Sequence, residues 1–528
     1  MTKPKLIIYW CRSDFRLTDN PALFSATKFA KETDSDFLPI FILDEAILGG
    51  KTKANLSKAN IGYPRRLFLS KVLSYFTTQF DRFEILTGNP NQIFEELSNQ
   101  FELQVFVNDD IEPYSLARDQ QVQDIVEQNG GKFNSYVDQL SCDKNTVSGT
   151  GNFYSVFTPF KKNVWSQFVS IQPLPKVDLQ GLKYSISLSI TTSPNLKTLN
   201  CHLEQSERSP QNKEQNLCLK TTDLQTQIFE LIDKTWDFET GGNYVNLDNY
   251  FDRPTYEQWH HQEEQVLSQF DEYLSCGKMY DYKTNRDDLG LDTVNGGQTS
   301  QMSVGLKWGL VSGRTLKQKI LDFYPTESFE SPYSNETNGA SHYISELIWR
   351  EFYKYILYQR PEVLSLEFQT KMQNIPWLKG YDAVHRFTKW IKGETGYPAV
   401  DAAMKQIAQT GWMHNRARMM VASILTKNLG VDWRWGQEYF RAVLLDLDEA
   451  SNNGGWQWAG SVGADPKPIR IFNPYLQAQN YDAKNLYQNK WLPKDYDRLS
   501  PPMVDHKVAR NQALKRYGMN SDGGVRDF

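Results

Sequence analysis

The chain has 528 residues, of which 40% are hydrophobic and 23% charged, so it can form two or three domains and has the composition of a globular protein. Its net charge of −5 argues against a protein that coats nucleic acid without specificity, because such binding needs an accumulated positive field. The apolar run Leu6 to Cys11 is too short for a signal peptide, and no other stretch suggests a membrane span. We therefore expect a cytoplasmic protein with reduced cysteines.

Residues 1–138 alternate short β-branched or aromatic runs with amphipathic helical stretches. The strand-like runs are LIIYWC, FLPIFIL, FEILTG, QVFVND and KFNSYV. This alternation predicts an α/β domain, in which a Rossmann-like parallel sheet is covered by helices. The Gly-x-Gly-x-x-Gly fingerprint of dinucleotide binding is missing, and Glu45 stands where a Walker loop would need its first glycine.

Between residues 139 and 235 the chain turns polar, and the stretch 193–222 lacks sustained periodicity. We interpret this region as a long interdomain connector. Cys201, His202 and Cys218 lie within it, but a zinc site would need a second close pair of ligands. We therefore expect no bound metal.

Helical periodicity dominates residues 236–500, where strand patterns almost vanish. The helical segments are 257–275, 303–323, 341–358, 398–410, 413–429 and 435–446. They predict a second, all-α domain. The polar stretch 501–528, which ends in SDGGVRDF, predicts a loosely held tail.

Chemistry-bearing residues gather in three helical segments. In HYISELIWREFYKYILYQR, Glu346, Trp349, Arg350 and Tyr353 recur at helical spacing, which places an acid, an indole and a guanidinium on one helix face. A solvated ion pair beside a core tryptophan would also explain this segment alone.

The second segment, GWMHNRARMM, places Asn415, Arg416 and Met419 on one face, with Arg418 in another direction. The third segment, DLDEASNNGGWQW, packs five polar or indole side chains into thirteen residues: Asp446, Asp448, Asn452, Trp456 and Trp458. Such a density of polar groups is expensive to bury unless a ligand satisfies it.

Five motifs together closely resemble the FAD-binding domain of the DNA photolyase and cryptochrome family. They are WREFY, GYPAVDAAM, TGWMHNRARM, NNGGWQW and RIFNP, in this order and at these intervals. CRSDFRLTDNPAL is similar to the family's amino-terminal opening, so the resemblance spans nearly the whole chain. TGWMHNR and NNGGWQW are most similar to the photolyases that repair cyclobutane pyrimidine dimers. Enzymes for the other ultraviolet photoproduct carry paired histidines at Met413-His414-Asn415, which disfavours that substrate and leaves His414 a structural role.

The resemblance implies FAD as the cofactor and assigns a set of residues to it. They are Tyr282, Thr299, Ser300, Gln301, Met302, Ser303, Tyr343, Arg350, Asn415, Arg418, Asp446, Asp448 and Asn452. Residues 299–303 would cradle the phosphates with hydroxyls and main-chain N–H groups. Arg418 would pair with Asp446 near the isoalloxazine, Asp448 would hydrogen-bond the flavin, and Asn452 would face flavin N5.

The resemblance also implies ultraviolet-damaged DNA as the partner, with the dimer flipped out of the helix. The residues placed against the dimer or its flanking strand are Arg286, Glu346, Trp349, Asn415, Arg416, Met419, Trp458 and Gln477. Trp349 and Trp458 would wall the pocket, while Glu346 and Asn415 would hydrogen-bond the pyrimidines. The implied reaction is electron transfer from photoexcited reduced FAD to the dimer, ring splitting and return of the electron.

Three tryptophans match the family's chain that refills oxidised flavin from the surface: Trp456, Trp433 and Trp377. The spacing from Trp377 to Trp390 is three residues longer than usual, so Tyr381 competes for the outermost place.

Glu112 matches a position that contacts a folate antenna in some members. Methenyltetrahydrofolate, a deazaflavin or no antenna all remain open for the amino-terminal domain. Capping of the helix that begins at Pro113 is an equally plausible role for this acid.

Two positions depart from the family pattern. Gln301 replaces an arginine common in the phosphate cradle, and Asn480 stands where a basic residue often follows RIFNP. AGSVGADPKP and QAQNYD also partly resemble DASH cryptochromes. These departures weaken the expected affinity for duplex DNA most.

The favoured hypothesis is a monomeric deoxyribodipyrimidine photo-lyase. The alternative is a DASH-like cryptochrome, acting as a blue-light photoreceptor or a single-stranded DNA photolyase. It is less favoured because Trp458 is retained where DASH members commonly carry tyrosine. A light-independent nucleotide binder has only the βαβ pattern in its favour.

Overall fold

The computed structural model describes residues 3–48, 63–186, 188, 198–202, 259–290, 297–325, 339–464 and 469–519. Its sheet has the order β5-β4-β1-β2-β3-β6, with β1 to β5 parallel and β6 antiparallel at one edge. The strands are β1 (Lys5–Cys11), β2 (Asp36–Asp44), β3 (Arg82–Gly88), β4 (Glu102–Asn108), β5 (Lys132–Tyr136) and β6 (Thr198–His202). The predicted α/β domain is confirmed.

Helices cover both faces of this sheet. They are α1 (Pro21–Thr33), α2 (Glu45–Leu48), α3 (Tyr63–Thr77), α4 (Pro90–Gln100) and α5 (Pro113–Gln128). Each face of the sheet has its own apolar core. Ile7 and Tyr9 of β1 lie in one core, and Leu6 and Ile8 lie in the other, so the strand is apolar at successive positions.

The region interpreted as a connector contains regular structure. Helix α6 (Phe157–Ser170) buries its apolar face, and β6 pairs with β3 through partners that include Phe83 and Cys201. His202 pairs likewise with Arg82. Cys218 lies outside the described residues.

The regular structure of the described residues after 259 is helical. The helices are α7 (Glu263–Ser275), α8 (Tyr282–Asn285), α9 (Ser303–Lys307), α10 (Gly313–Phe323), α11 (Gly339–Gln359), α12 (Gly380–Lys392), α13 (Pro398–Thr410), α14 (Asn415–Ser423), α15 (Trp433–Val443), α16 (Glu449–Gly460), α17 (Pro474–Tyr481), α18 (Leu486–Trp491) and α19 (His506–Arg516). A π-helical turn, Ile424–Asn428, follows α14. Among these helices we find none with the length and apolarity that crossing a membrane requires.

The segment 303–323, predicted as one helix, is two helices separated at Gly309. Gly309 has a left-handed φ of +62°, and a Cβ there would stand 2.0 Å from the Ser13 carbonyl oxygen. The helix is interrupted because the main chain of the helical half approaches the amino-terminal half closely at this point.

The two halves share a buried interface. A single apolar core contains residues of the sheet, such as Tyr9, and of α11, such as Phe352. Beside it, Arg314 pairs with Asp19 at 2.8 Å and with Asp138 at 2.7 Å, and Arg16 pairs with Asp138 at 2.5 Å.

The prediction of a loosely held tail is wrong for residues 501–519. Asp505 caps α19 by accepting from Val508 N at 3.0 Å, and the helix buries Ala513 and Leu514 against the helical core. Residues 520–528 of the predicted tail lie outside the described part.

Candidate active site

One face of α11 carries the polar and indole side chains predicted from its spacing. Glu346, Trp349, Arg350 and Tyr353 are half-buried, whereas most positions between them are buried. A Cβ at Gly454 of α16 would stand 2.1 Å from the Tyr353 ring, so this glycine allows α16 to pack against the same face. The shared face predicted from the sequence is confirmed.

The predicted phosphate cradle lies between α7 and α11. The hydroxyls of Ser300 and Tyr343 share a hydrogen bond of 2.7 Å, and the rings of Tyr343 and Tyr282 are 5.1 Å apart. The Gln269 amide donates to the Ser300 carbonyl at 2.9 Å, which anchors the loop on α7. Gln301 adopts a left-handed φ of 56°, a conformation that an L-residue takes only when its surroundings impose it.

Thr299, Met302 and Ser303 continue this loop into α9. Met302 is buried, Thr299 is half-buried, and Ser303 accepts a hydrogen bond from the Trp412 indole N–H at 3.2 Å. Helix α9 has only five residues, so the loop hydroxyls and main-chain groups matter more here than a helix dipole.

Helix α14 presents two different faces. Asn415 is exposed, and its amide nitrogen lies 3.8 Å from the Met419 sulfur, which is half-buried. Arg418 points elsewhere and donates to the buried Asp446 carboxylate at 2.7 Å. The contrasting directions predicted for Met419 and Arg418 are observed.

Arg416 is held between the helical elements that flank α14. Its guanidinium donates to Asp287 at 2.5 Å and lies 4.2 Å from the centre of the Tyr481 ring. Its backbone N–H donates to His414 Nδ1 at 3.1 Å, so His414 caps α14. This contact fits the structural role expected for His414.

Two buried acceptor oxygens are available to a ligand. Asp446 Oδ1 and Asn452 Oδ1 have no hydrogen-bond partner among the residues that the structure describes. The other terminal atoms are engaged, since Asp446 Oδ2 accepts from Arg418 and Asn452 Nδ2 donates to the Gln437 carbonyl at 3.2 Å. Buried acceptors without partners are costly, so a ligand with ring N–H donors, such as an isoalloxazine, fits this position.

An indole hydrogen bond connects the cradle side with the Asp446 side. Trp308, directly after α9, donates from its indole N–H to the Leu445 carbonyl at 3.0 Å. Together with the Trp412 to Ser303 bond, it holds the phosphate loop, the start of α14 and the Asp446 loop together. These two bonds connect the loop of residues 299–303 with Arg418 and Asp446, whereas Arg350 and Asp448 of the predicted set line a neighbouring interdomain cavity.

Asp448 is committed to other partners than a flavin. It caps α16 by accepting from Ser451 N at 2.9 Å and pairs with the buried Lys354 ammonium at 3.3 Å. Burial alone would raise the pKa of Asp448, but Lys354 and Arg350 outweigh it and lower that pKa. The side chain lines an interdomain cavity together with Arg350 and Arg16, so the structure does not support direct flavin contact by this carboxylate.

Glu346 and Arg286, both predicted to contact the substrate, form an ion pair beside α11. Burial raises the pKa of Glu346, while Arg286 acts in the opposite direction. His342 lies one turn earlier, with Nε2 3.6 Å from the same carboxylate. The Glu346 carboxyl group is thus partly desolvated and is held in place by its neighbours. A carboxyl group in this state can hydrogen-bond the polar edge of a planar ring.

The two predicted wall tryptophans are half-buried on neighbouring helices. Trp349 stacks on Phe157 of α6, with ring centroids 3.6 Å apart and planes 9° apart. Trp458 is covered on one side by Arg470, whose guanidinium carbon is 4.6 Å from the ring centroid. Phe157 was missed from the sequence, because it lies in the region interpreted as a connector.

Gln477 and Asn480 differ in their placement on α17. Asn480 is exposed, but Gln477 is only 3% exposed. Gln477 therefore does not lie on the surface where a contact with the flanking strand was predicted.

The three predicted electron-transfer tryptophans lie in or against the core of the helical half. Trp433 and Trp456 are buried, and Trp377 packs at the edge. The Trp456 ring rests against Gly436, one turn after Trp433, since a Cβ there would stand 2.0 Å from that ring.

Two neighbours of these tryptophans were missed. The ring of Tyr517 meets Trp377 edge-on at 6.0 Å, and Glu367 accepts from the Trp433 indole N–H at 3.2 Å. Tyr381, considered as a competitor, is 81% exposed and stacks on His385. Ala509, Ala513 and Tyr517 recur at every fourth position, and this spacing is the signal in the sequence that puts Tyr517 on the buried side of α19.

A cavity of about 400 Å³ lies at the carboxyl edge of the parallel sheet, where α3 and the helical half close over it. Glu112 lines it and makes no capping hydrogen bond from its side chain. Burial, reinforced by Asp110, raises the pKa of Glu112 to about 8. Arg65 lines the same cavity, and burial lowers the pKa of its guanidinium to about 10.

Within the described ranges no cluster of three or more His, Cys, Asp or Glu side chains could hold a metal ion.

Comparison with known proteins identifies both halves. The family DNA photolyase matches residues 7–178, and the FAD binding domain of DNA photolyase matches residues 343–500. The deoxyribodipyrimidine photo-lyase of Synechococcus sp. is 33% identical over 493 residues, which cover 92% of this chain and 88% of that relative.

Solved structures share the whole architecture. A bacterial class III photolyase from Agrobacterium tumefaciens superimposes with a TM-score of 0.71 at 25% identity, over 98% of each chain. An archaeal photolyase from Sulfolobus tokodaii, solved with two FAD molecules, gives a TM-score of 0.68 at 22% identity, over 97% of this chain and 99% of that one.

The protein is a flavoprotein of the photolyase type. It joins a parallel α/β half to a helical FAD-binding half, which has buried acceptor atoms for a ring ligand between its helices. FAD is its cofactor. The chain belongs to the DNA photolyase family.

Proposed function

We propose that this protein repairs cyclobutane pyrimidine dimers in DNA by light-driven electron transfer from reduced FAD to a flipped-out dimer. Helix α14 carries the proposal: Asn415 and Met419 face outward, while Arg418 reaches Asp446 on the flavin side. One short helix would therefore contact both substrate and cofactor. Relatives that share most of the chain are named deoxyribodipyrimidine photo-lyase.

FAD would be held at both ends by residues described above. Ser300, Gln301 and Tyr343 would face the phosphates, and Asp446 and Asn452 would accept from ring N–H groups. When bound, the flavin supplies light absorption and one-electron chemistry. The neutral Gln301 contributes no charge to the phosphates, so hydroxyls and main-chain groups carry that contact.

The substrate slot would lie between α11 and α16. Trp349 and Trp458 would provide apolar walls for the dimer, and Glu346 and Asn415 would hydrogen-bond the pyrimidine edges. Its pair with Glu346 holds the Arg286 guanidinium at the rim of the slot, where it would contact a phosphate of the DNA backbone.

Three tryptophans, Trp456, Trp433 and Trp377, would supply electrons to the flavin from the surface. Burial of the first two and placement of the third at the core edge support this order. Edge contact with Tyr517 holds Trp377 in place.

An antenna chromophore would occupy the 400 Å³ cavity at the sheet edge. Burial raises the pKa of Glu112, which favours the protonated acid, and this acid would donate a hydrogen bond to a ring carbonyl or nitrogen. The structure from Sulfolobus tokodaii, whose second FAD implies a light-harvesting cofactor, supports a ring ligand in such proteins. The absorption spectrum of the purified protein will distinguish a folate, a deazaflavin and a second flavin.

The decisive experiment compares Glu346→Ala with Glu362→Ala, an exposed acid that serves as the control. Dimers in an irradiated oligonucleotide are counted before and after blue illumination with reduced FAD. We expect wild type and Glu362→Ala to remove dimers, and Glu346→Ala to lose repair while retaining FAD. Unchanged dimer counts in the illuminated wild type would reject the proposal.

The flavin side has a separate test. Arg418→Met leaves the buried Asp446 carboxylate without its partner. We expect FAD affinity to fall about thirtyfold, because the Asp446 carboxylate is then no longer held in place and the hydrogen bond of about 2 kcal/mol that it would accept from the flavin ring is lost. Equilibrium dialysis measures this change, and wild-type affinity in the variant would contradict the assignment.

A further inference from the structure

Glu367 is a buried acid that the proposed function does not use. The Trp433 indole N–H donates to Glu367 Oε1 at 3.2 Å. Trp433 is 0% exposed and Glu367 2% exposed, so this contact is shielded from water. Charge effects are stronger in such surroundings than on the surface.

A second contact fixes the carboxylate. Arg434 donates to Glu367 Oε2 at 2.8 Å and also to Asp432, at 3.1 Å and 3.2 Å from its two oxygens. Its guanidinium carbon stands 4.7 Å from the Trp433 ring centroid. Two carboxylates thus surround one guanidinium, and the carboxylate of Glu367 makes the direct hydrogen bond to the indole. The local balance of charge around Trp433 is therefore negative.

The other two tryptophans lack this arrangement. The indole nitrogens of Trp456 and Trp377 are buried and have no hydrogen-bond partner in the portion of the chain described. An indole that loses an electron becomes a cation with a more acidic N–H, so a carboxylate bound to that N–H stabilises the oxidised form. Of the two fully buried tryptophans, Trp433 has the surroundings that better stabilise a positive charge.

We propose that Glu367 is a positioning residue that makes Trp433 more easily oxidised than Trp456, an inference that rests on the proposed electron supply. With FAD bound, its photoexcited state would supply a one-electron acceptor, and Trp456 would lose one electron to it. Trp433 then gives one electron to oxidised Trp456, which is restored, and Trp433 becomes the radical cation. No covalent bond breaks, and the indole proton stays on Nε1 in its hydrogen bond to Glu367.

Flash photolysis of the FAD-loaded protein tests the proposal in a Trp377→Phe, Trp390→Phe background. Trp390 is replaced as well because its ring centroid lies 6.0 Å from that of Trp456 and it could share the charge. Charge on Trp433 recombines more slowly than charge on Trp456, which is nearer the flavin in the proposed order. The radical lifetime therefore reports how the charge is shared. The variants are Glu367→Gln, which removes the negative charge, and Arg434→Gln, which removes the positive one.

We expect Glu367→Gln to shorten the radical lifetime about tenfold, equivalent to about 1.4 kcal/mol, because the charge returns to Trp456. Arg434→Gln is expected to leave the lifetime unchanged or lengthen it. A purely structural role would change both variants in the same direction, because both break the Glu367 to Arg434 pair.

Each outcome decides a different point. Equal shortening in both variants, or no effect in either, overturns the role of Glu367 while the electron supply stands. A wild-type protein that forms no tryptophan radical on illumination overturns the proposed electron supply, and this role of Glu367 with it.

Discussion

Arg314 supports the buried interface between the two halves, and its removal gives a well-defined perturbation. The side chain is 6% exposed and pairs with Asp19, which is 1% exposed, and with Asp138, which is 7% exposed. In Arg314→Ala, Asp138 keeps its pair with Arg16. Asp19 loses its salt bridge and keeps hydrogen bonds from the Ser312 hydroxyl and Leu174 N, while the nearby Arg16 guanidinium still attracts its charge.

The expected cost follows from this difference. Removing one partner of a buried ion pair costs about 3–5 kcal/mol of unfolding free energy when the remaining charge is uncompensated, so the attraction of Arg16 for Asp19 places this loss at about 3 kcal/mol. Lys319→Ala is the matched control, because Lys319 lies on the same helix and pairs with Asp271 at 2.7 Å in an exposed position. Such an exposed pair contributes about 0–1 kcal/mol.

Urea denaturation followed by circular dichroism measures both variants at pH 7. We expect the midpoint of Arg314→Ala to fall well below that of Lys319→Ala at a similar slope. A loss in Arg314→Ala no larger than in Lys319→Ala would refute the reasoning. It would mean that water reaches Asp19 and solvates the carboxylate.

Three further predictions concern the tail, the cavity and the substrate wall. Asp505→Ala removes the cap of α19 and should cost about 1 kcal/mol in urea denaturation, whereas a loosely held tail would show no change. Glu112 has a raised pKa, so its stabilising contribution is complete at low pH and is lost as the pH rises through about 8. The unfolding free energy of wild type should therefore fall relative to Glu112→Gln between about pH 5 and 8, by about 1–3 kcal/mol, and parallel curves would contradict this sign. Phe157→Ala removes the ring stacked on Trp349 and should weaken binding of dimer-containing DNA about threefold to tenfold by fluorescence anisotropy, since aromatic pairs contribute about 0.5–1.5 kcal/mol. An unchanged dissociation constant would show that Trp349 holds its position alone.

Local periodicity explains which parts of this structure could be predicted. The face shared by Glu346, Trp349 and Tyr353 follows from helical spacing alone, and the Arg418 contact with Asp446 followed from motif resemblance. By contrast, the Phe157 stack on Trp349 joins residues far apart in the chain. No sequence pattern encodes such a pairing, because it depends on how α6 packs across α11.

Glu367 and Gln477 illustrate the same limit in opposite directions. Glu367 looks like an ordinary charged residue before a turn, yet packing buries it against Trp433. Gln477 looks like a surface contact, yet one face of α17 turns it inward. Burial of individual polar residues is set by tertiary contacts, and these two positions could not be assigned from spacing.

The two halves of the chain are packed closely together, as the approach of Gly309 to Ser13 shows. This packing limits how the protein can be divided into separate fragments. A cut near residue 138 would leave the sheet without Phe352 and its neighbours, although they belong to the same apolar core as Tyr9. Each fragment would expose that surface and would tend to aggregate when made alone. Co-expression of the two fragments is the sounder route to a split version, since each would then supply the other's missing wall.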